Sequence, residues 1–400
     1  MQLNDFRAAK AYFDEGFEVS VGKLLALLRS SFEMDLAFIG KFEEGYRTSL
    51  IVDSENADAC SEDLCFSHPI EETYCHRIAT GELPAIIPNT LTNSITKDMP
   101  VTQELSIGAY AGVPITLSNG EIYGTLCCIK HTSDSALAYR DASLLRFVAD
   151  VIADRVESYR DNQNRFAAIR KKIQAFTASD QLRIVFQPIW SIHENRIRGY
   201  EALSRFDTDP YYPPDVWFSE AAEVGLQEYL ELLAFEKALG HLDRIPDDCF
   251  LSINASPELI LSGAVSRQLM KHSSHRVIVE VTEHSRIKDY QEFKDAIHLI
   301  RRQGAKFAID DAGAGYASFQ AILELDVDVI KLDLSLIRNI HLDIKKQALA
   351  SALVSYAKYI RAVVVGEGVE YAEEFELLKG LGVDKIQGYY VGKPGPLPYA

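Results

Sequence analysis

The sequence predicts two folded parts of different class: an α+β domain built on an antiparallel sheet, then an α/β barrel of the TIM type. Three observations carry this. Asn119-Gly120 lies between two alternating apolar runs, the strongest short-range signal for a hairpin. From residue 178 onward the pattern changes to strand then helix, repeated. In that second part, most strand-like segments carry one polar or charged residue inside an apolar run, near the strand end where a TIM-type barrel keeps its chemistry.

Composition sets the bounds. The 400 residues allow two or three domains, and 47% hydrophobic with 25% charged residues is ordinary for a globular protein. The opening stretch MQLNDFRAAKAYFDEGFEVS has no apolar core of the signal-peptide kind, and no run is long enough to span a bilayer. The expectation is a cytoplasmic chain with no membrane insertion. A net charge of −17 argues against a nucleic-acid polymer or an anionic lipid surface as partner. A small anionic substrate stays open where metals and a few Arg or Lys residues invert the field locally. The six cysteines (60, 65, 75, 127, 128 and 249) form no CxxC pair and read as reduced, buried small residues. Cys60, Cys65, Cys75 and His76 fit no common zinc spacing.

Within residues 1–155 a helix is expected through Leu24 to Leu28, and strands at 36–42 and 46–53. The segment 109–131 then alternates on both sides of Asn119-Gly120, with Val113, Ile115 and Leu117 before it and Ile122, Gly124, Leu126 and Cys128 after. Both turn residues are expected to take positive φ. From Arg140 to Phe176 there is no Pro or Gly, and Leu145, Val148, Ile152, Val156, Tyr159, Phe166, Ile169, Ile173 and Phe176 recur at helical spacing. This 140–177 connector reads either as a long helix paired with a second chain or as a helix lying on the preceding sheet followed by a short linker.

Candidate strands of the second part, residues 178–400, are 183–188, 196–203, 250–254, 277–282, 307–310, 329–332, 362–367 and 385–390. Amphipathic helical stretches lie between them, such as 289–303, 343–360 and 371–378. The odd residues at their ends are Glu201, Asn254, Glu280, the pair Asp310-Asp311, Lys331 and Glu367. Alone, Asp-Asp-x-Gly reads as an Asx-type turn, and one polar strand end reads as a satisfied group. Six strands presenting such residues point instead to one metal centre. Lys331 and two divalent cations would balance the five carboxylates, and all-oxygen donors favour Mg²⁺ or Mn²⁺ over zinc.

Two resemblances follow from the motifs. ETYCHRI (72–78), PAIIPNT (84–90), IGAYAGVPI (107–115) and NGEIYGTLC (119–127) resemble a GAF domain. This implies a small-molecule sensor or a dimerisation module, and the sequence leaves that choice open. Cys75-His76 precedes the IIPNT strand and lacks the flanking pattern of tetrapyrrole attachment, so Cys75 reads as a core cysteine at a helix start. FQPI (186–189), YEALSR (200–205), SINASPELI (252–260), VEVTE (279–283), DDAGAGYASF (310–319), DVIKLD (328–333), GEGVE (366–370) and QGYYVGKP (387–394) resemble the EAL-domain phosphodiesterases that cleave cyclic di-GMP.

The second resemblance implies residue roles. Glu201, Asn254, Glu280 and Asp310 would hold one metal, and Asp310, Asp311 and Glu367 the other. Lys331 would contact the attacking water, Glu283 would pin the 310–319 loop, and Gln187, Arg205 and Gln387 would touch the substrate. The implied reaction is metal-dependent hydrolysis to linear pGpG, regulated by the GAF domain in a homodimer. The alternative is a non-catalytic cyclic di-GMP receptor. Ala312, Ala314 and Ala317 depart from the family's usual aromatic and hydroxyl residues, in a loop that couples metal binding to dimer contacts in the family.

Overall fold

The computed structural model describes residues 15–54, 67–140, 142–272, 274–281, 287, 289–313 and 316–397. The chain divides into two compact units, Met1–Arg165 and Phe166–Ala400. Among the described residues no helix is long and apolar enough to cross a membrane.

In the first unit six strands form one sheet: β1 (Leu36–Glu43), β2 (Tyr46–Ser54), β3 (Ser67–Pro69), β4 (Ile86–Ile87), β5 (Ala109–Thr116) and β6 (Ile122–Lys130). Their order is β3-β2-β1-β6-β5-β4, every neighbouring pair antiparallel. Alternation sends successive side chains to opposite faces. Ala109, Ala111, Val113 and Ile115 of β5 therefore join one core with Val21, Leu25 and Leu28 of the helix Glu15–Phe32. Tyr110 of the same strand joins a second core with Phe38, Cys127, Ile129 and the short helix Tyr74–Ala79. Each fully buried Leu, Ile or Val contributes roughly 1.5–3 kcal/mol by leaving water, so both faces of the sheet hold the unit together.

The β5–β6 hairpin forms where expected, but its turn differs from expectation. Gly120 N–H donates to the Leu117 carbonyl, which makes Ser118 and Asn119 the central pair. Of the turn residues only Gly120 has positive φ, +84°. The register shifts by one residue between Ile115 and Thr116, so the chain turns through a three-residue loop closed by a left-handed glycine. Of the cysteines read as reduced and buried, Cys60 and Cys65 lie outside the described residues. Cys75 is buried in the second core of the sheet.

One helix, Ser143–Ala178, covers the connector. Its apolar stripe is used within the chain. Leu145, Val148, Ile152 and Val156 belong to the first unit's core, and Ile169, Ile173 and Phe176 to a cluster of the second unit with Phe206 and Trp217. Between them residues 161–165 are exposed.

The second unit contains β7 (Leu182–Ser191), β8 (Arg196–Phe206), β9 (Phe250–Ala255), β10 (Val277–Val281), β11 (Lys306–Ala312), β12 (Val329–Leu332), β13 (Val363–Gly366) and β14 (Lys385–Gln387). They close in chain order into a barrel, β14 pairing back to β7. From β8 to β14 every pair is parallel, and helices supply the crossovers. β7 departs from the strict strand–helix repeat: it runs antiparallel to both β8 and β14, joined to β8 by residues 192–195. A four-residue connection can only reverse the chain, because a parallel crossover needs a dozen residues or more.

Local signals set the helices. Asp289 caps Tyr290–Arg302 by accepting from Gln291 N and Glu292 N, and Phe293, Ile297 and Ile300 form its buried stripe. Asp343 caps Ile344–Ile360 in the same way. Such caps are worth about 1 kcal/mol each. At the bottom of the barrel Gly199 is required by packing, since a Cβ there would lie 2.4 Å from the Phe250 ring.

Candidate functional site

The site follows from the period of the strands. Ile189, Ile278, Ala308, Val329 and Val365 form a buried cluster inside the barrel, with Phe250 and Val363 packed on it. The next inward position towards the same end of the barrel is two residues on along the parallel strands and two residues back along the reversed β7. Those positions are Gln187 on β7, Glu280 on β10, Asp310 on β11, Lys331 on β12 and Glu367 just after β13. Glu201 of β8, Ser252 and Asn254 of β9 and Gln387 of β14 complete the layer. A polar layer thus lies directly above an apolar one, at the carboxyl ends of the parallel strands.

Asp310 and Asp311 would face opposite sides in a regular strand. The structure prevents this with a bulge: Ile309 pairs Ile330 and Ala312 pairs Leu332, so two aspartates stand opposite Lys331 alone. Asp311 takes the left-handed conformation, φ +53°, which only Gly, Asn and Asp adopt with ease. As a result Asp310, Asp311 and Glu367 present carboxylate oxygens all within 4.8 Å of one another.

Lys331 is the hub, with only 1% of its side chain exposed. Its Nζ lies 2.7 Å from Glu367 Oε1, 2.8 Å from Glu280 Oε2, 3.1 Å from Asp310 Oδ1 and 3.6 Å from Glu201 Oε2. Glu201 in turn accepts from Asn254 Nδ2 at 2.9 Å and Gln387 Nε2 at 2.6 Å. Gln387 Nε2 also donates to Gln187 Oε1 at 3.1 Å, and Gln187 Nε2 to the Gly392 carbonyl at 3.3 Å. Ser252 Oγ donates to Glu280 Oε1.

The electrostatics are those of a crowded acid cluster. Burial, then the Glu201 and Asp310 carboxylates, push Glu280 up to about 8 against the pull of Lys331. Burial and the same neighbours raise Glu367 well above the usual carboxyl range. Asp311 is pushed up to about 6 by burial, Asp310 and Asp333. Burial disfavours the Lys331 ammonium, yet Asp310, Glu201, Glu280 and Glu367 together hold its pKa well above the ordinary value. One cation therefore faces more anionic charge than it neutralises. The donor set also contains unused capacity: the buried Asn254 Oδ1 and Gln387 Oε1 have no hydrogen-bond partner among the described residues. An oxygen-rich, electron-rich cluster with an orphaned amide oxygen fits hard divalent cations.

Of the residues expected at the site, Gln187, Glu201, Asn254, Glu280, Asp310, Asp311, Lys331, Glu367 and Gln387 are brought together. Arg205 lies on the inward face of β8 two positions beyond Leu203, where its guanidinium donates to the Ser204 carbonyl at 2.7 Å rather than to the cluster. Glu283 lies outside the described residues. Two members were not anticipated. Ser252 shares the inward face with Asn254, and that spacing of two in SINA was the available signal. Asp333 acts on Asp311 while capping Leu334–Ile337 through Ser335 N, and it closes the DVIKLD stretch.

Comparison with known proteins agrees with this architecture. The EAL domain family matches residues 170–394 and the GAF domain family residues 18–156. An uncharacterized signaling protein of Caulobacter vibrioides is 27% identical over 336 residues, 80% of this chain and 40% of that protein. The cyclic di-GMP phosphodiesterase PdeF of Escherichia coli is 28% identical over 240 residues, 58% of this chain and 32% of that one. The chain thus spans less than half the length of both. Among solved structures, the PaMucR phosphodiesterase in complex with c-di-GMP superposes with a TM-score of 0.52 at 25% identity, covering 57% of this chain and 98% of that one. With its closed barrel, its inward acid layer and a family match over more than half its length, the chain belongs to the EAL-domain family and carries a GAF domain before the barrel.

Proposed function

We propose that the barrel hydrolyses one phosphodiester bond of cyclic di-GMP to give linear pGpG, using two Mg²⁺ or Mn²⁺ ions. The observation that carries this reading is the buried Lys331 among Glu201, Glu280, Asp310 and Glu367, with Asp311 turned into the same cluster by the bulge. Glu201, Asn254, Glu280 and Asp310 would hold one cation, and Asp310, Asp311 and Glu367 the other. Bound there, the cations would supply a water of lowered pKa and positive charge for the phosphoryl oxygens. Lys331 orients that water and keeps its own proton, because the surrounding carboxylates stabilise its charged form. Gln387 holds Glu201 from the side of β14, Gln187 accepts from Gln387, and both offer amide groups to the substrate. Arg205, further along the inward face of β8, supplies a cation for a phosphate. Water adds to phosphorus, the P–O3′ bond breaks, and the 3′ oxygen leaves with a proton.

The GAF unit regulates this activity by binding a small ligand or by joining two chains, with the Ser143–Ala178 helix as the covalent path and a homodimer as the working form. The direct test is incubation of the purified chain with cyclic di-GMP and either metal, with the product followed by chromatography. Formation of pGpG that stops on chelation supports the proposal. Tight binding without turnover under either metal would instead identify a receptor.

A further inference from the structure

The first unit contains a buried polar cluster that the barrel chemistry does not use. Cys75, at the start of the helix Tyr74–Ala79, and Cys127, in the middle of β6, are 2% and 0% exposed. Their sulfur atoms are 3.6 Å apart, in van der Waals contact across the space between helix and sheet. Tyr110, itself buried, donates its hydroxyl to Cys127 Sγ at 2.8 Å and lies 3.5 Å from Cys75 Sγ. Thr125 Oγ1 is 3.2 Å from Cys127 Sγ. Simple space-filling does not require this polar company. Cys128 shows the contrast: it is the next residue of the same strand, faces the other side of the sheet among Leu and Val side chains, and is equally buried.

We propose that Cys75 and Cys127 are an oxidisable dithiol, closed to a disulfide by a small hydroperoxide and so tying the Tyr74–Ala79 helix covalently to β6. The sulfur separation must shrink by roughly 1.5 Å to reach a disulfide bond of about 2.05 Å, a change to be supplied by side-chain rotation and a shift of the helix. Reactivity favours Cys75 as the attacking sulfur. The hydrogen bond from Cys127, opposed by burial and aided by the Arg47 guanidinium, lowers its pKa to about 5. Cys127 keeps its proton, raised well above the usual thiol value by burial and by Cys75. Burial alone pushes Cys128 up to about 12, which leaves it a thiol and inert.

The electrons balance with one equivalent of peroxide. The Cys75 thiolate attacks one peroxide oxygen, the O–O bond breaks, and a sulfenic acid forms while the leaving oxygen departs as water or alcohol. Cys127 then gives up its proton and attacks Cys75 Sγ, forming the S–S bond and releasing water. Both thiols are oxidised and the peroxide is reduced by two electrons. Burial selects for small oxidants over bulky disulfide reagents.

The test needs no phosphodiesterase activity and so stands apart from the function proposed above. The reduced full chain is treated with one equivalent of hydrogen peroxide, quenched with a thiol-blocking reagent, digested without reductant and mapped by mass spectrometry. The expected product is a Cys75–Cys127 cross-linked peptide two hydrogens lighter than its parts and restored by dithiothreitol. Cys75 should react at least about tenfold faster than Cys128 and Cys249, in line with thiolate character. In the folded Cys127→Ser variant, Cys75 should stop at a sulfenic acid trapped by dimedone. Three wild-type results overturn the proposal: Cys75 and Cys127 still reduced after treatment, Cys75 cross-linked to Cys60, Cys65 or a second chain, or Cys75 carried on to sulfinic acid with Cys127 free.

Discussion

Lys331→Met removes the positive charge at the centre of the acid cluster while keeping most of the side-chain volume. At an effective dielectric constant near 20, each contact of about 3 Å is worth roughly 5 kcal/mol of gross attraction, largely offset by the cost of burying the ions. Removing one partner of such a buried pair costs about 3–5 kcal/mol net, because the carboxylates remain buried. For a unit of this size that corresponds to a loss of roughly 6–20 °C in Tm. The penalty depends on pH in a defined direction. The folded-state pKa of Glu280 is raised to about 8, so the stability linked to its proton is complete at low pH and is lost as pH rises through about 8. At pH 6 Glu280 is neutral and needs Lys331 less, whereas at pH 9 the variant must keep an acid protonated or leave it unpaired. A larger loss is therefore expected at pH 9 in chelator than at pH 6. Excess Mn²⁺ at pH 9 should narrow the gap. Intrinsic fluorescence reports the barrel selectively, since both tryptophans, Trp190 and Trp217, lie in the second unit. A variant that melts with wild type at pH 9, or a gap that does not change with pH, would refute Lys331 as the neutralising charge of the cluster.

Three further outcomes are expected. Glu201→Ala removes an acceptor shared by Asn254, Gln387 and Lys331, and should lower cyclic di-GMP turnover by at least about a hundredfold; unchanged turnover would remove Glu201 from the metal set. Asp311→Asn should fold normally and lose turnover, while Asp311→Val should cost about 1–2 kcal/mol more stability because a β-branched residue resists φ +53°; equal urea midpoints for the two variants would contradict the left-handed bulge. In the connecting helix, a seven-residue insertion within residues 161–165 should keep basal activity and a four-residue one should change it, because only the first nearly preserves the phase of the stripe. If both insertions behave as wild type, or if sedimentation shows a monomer, the helix is a passive tether.

What the sequence determined by itself was local. Alternation at 109–117 and 122–128, the helical stretches 289–303 and 343–360, and the apolar stripe of the connector each depend on neighbours a few positions away, so they are legible in the order of residues alone. The same holds for most of the site's membership, Ser252 and Asp333 excepted: a polar residue at an inward position on strand after strand is a period-two pattern that can be counted along the chain. Tertiary structure decided which of those positions face one another. Closure of the barrel made Lys331 the shared partner of carboxylates up to 130 positions away, from Glu201 to Glu367. Pairing with β12 created the bulge that turns Asp310 and Asp311 toward one cluster, and no local propensity encodes a register shift between two strands. The short 192–195 link already reverses β7, but its pairing with β14 came from closure of the barrel, and the form of the Asn119-Gly120 turn from the shift at Thr116. Cys75 and Cys127, 52 positions apart, read as unrelated core cysteines until helix and sheet packed their sulfur atoms together. Side-chain direction is written in the local period of the backbone, but distance between strands is set by packing and pairing over the whole unit, and the chemistry of this protein depends on that distance.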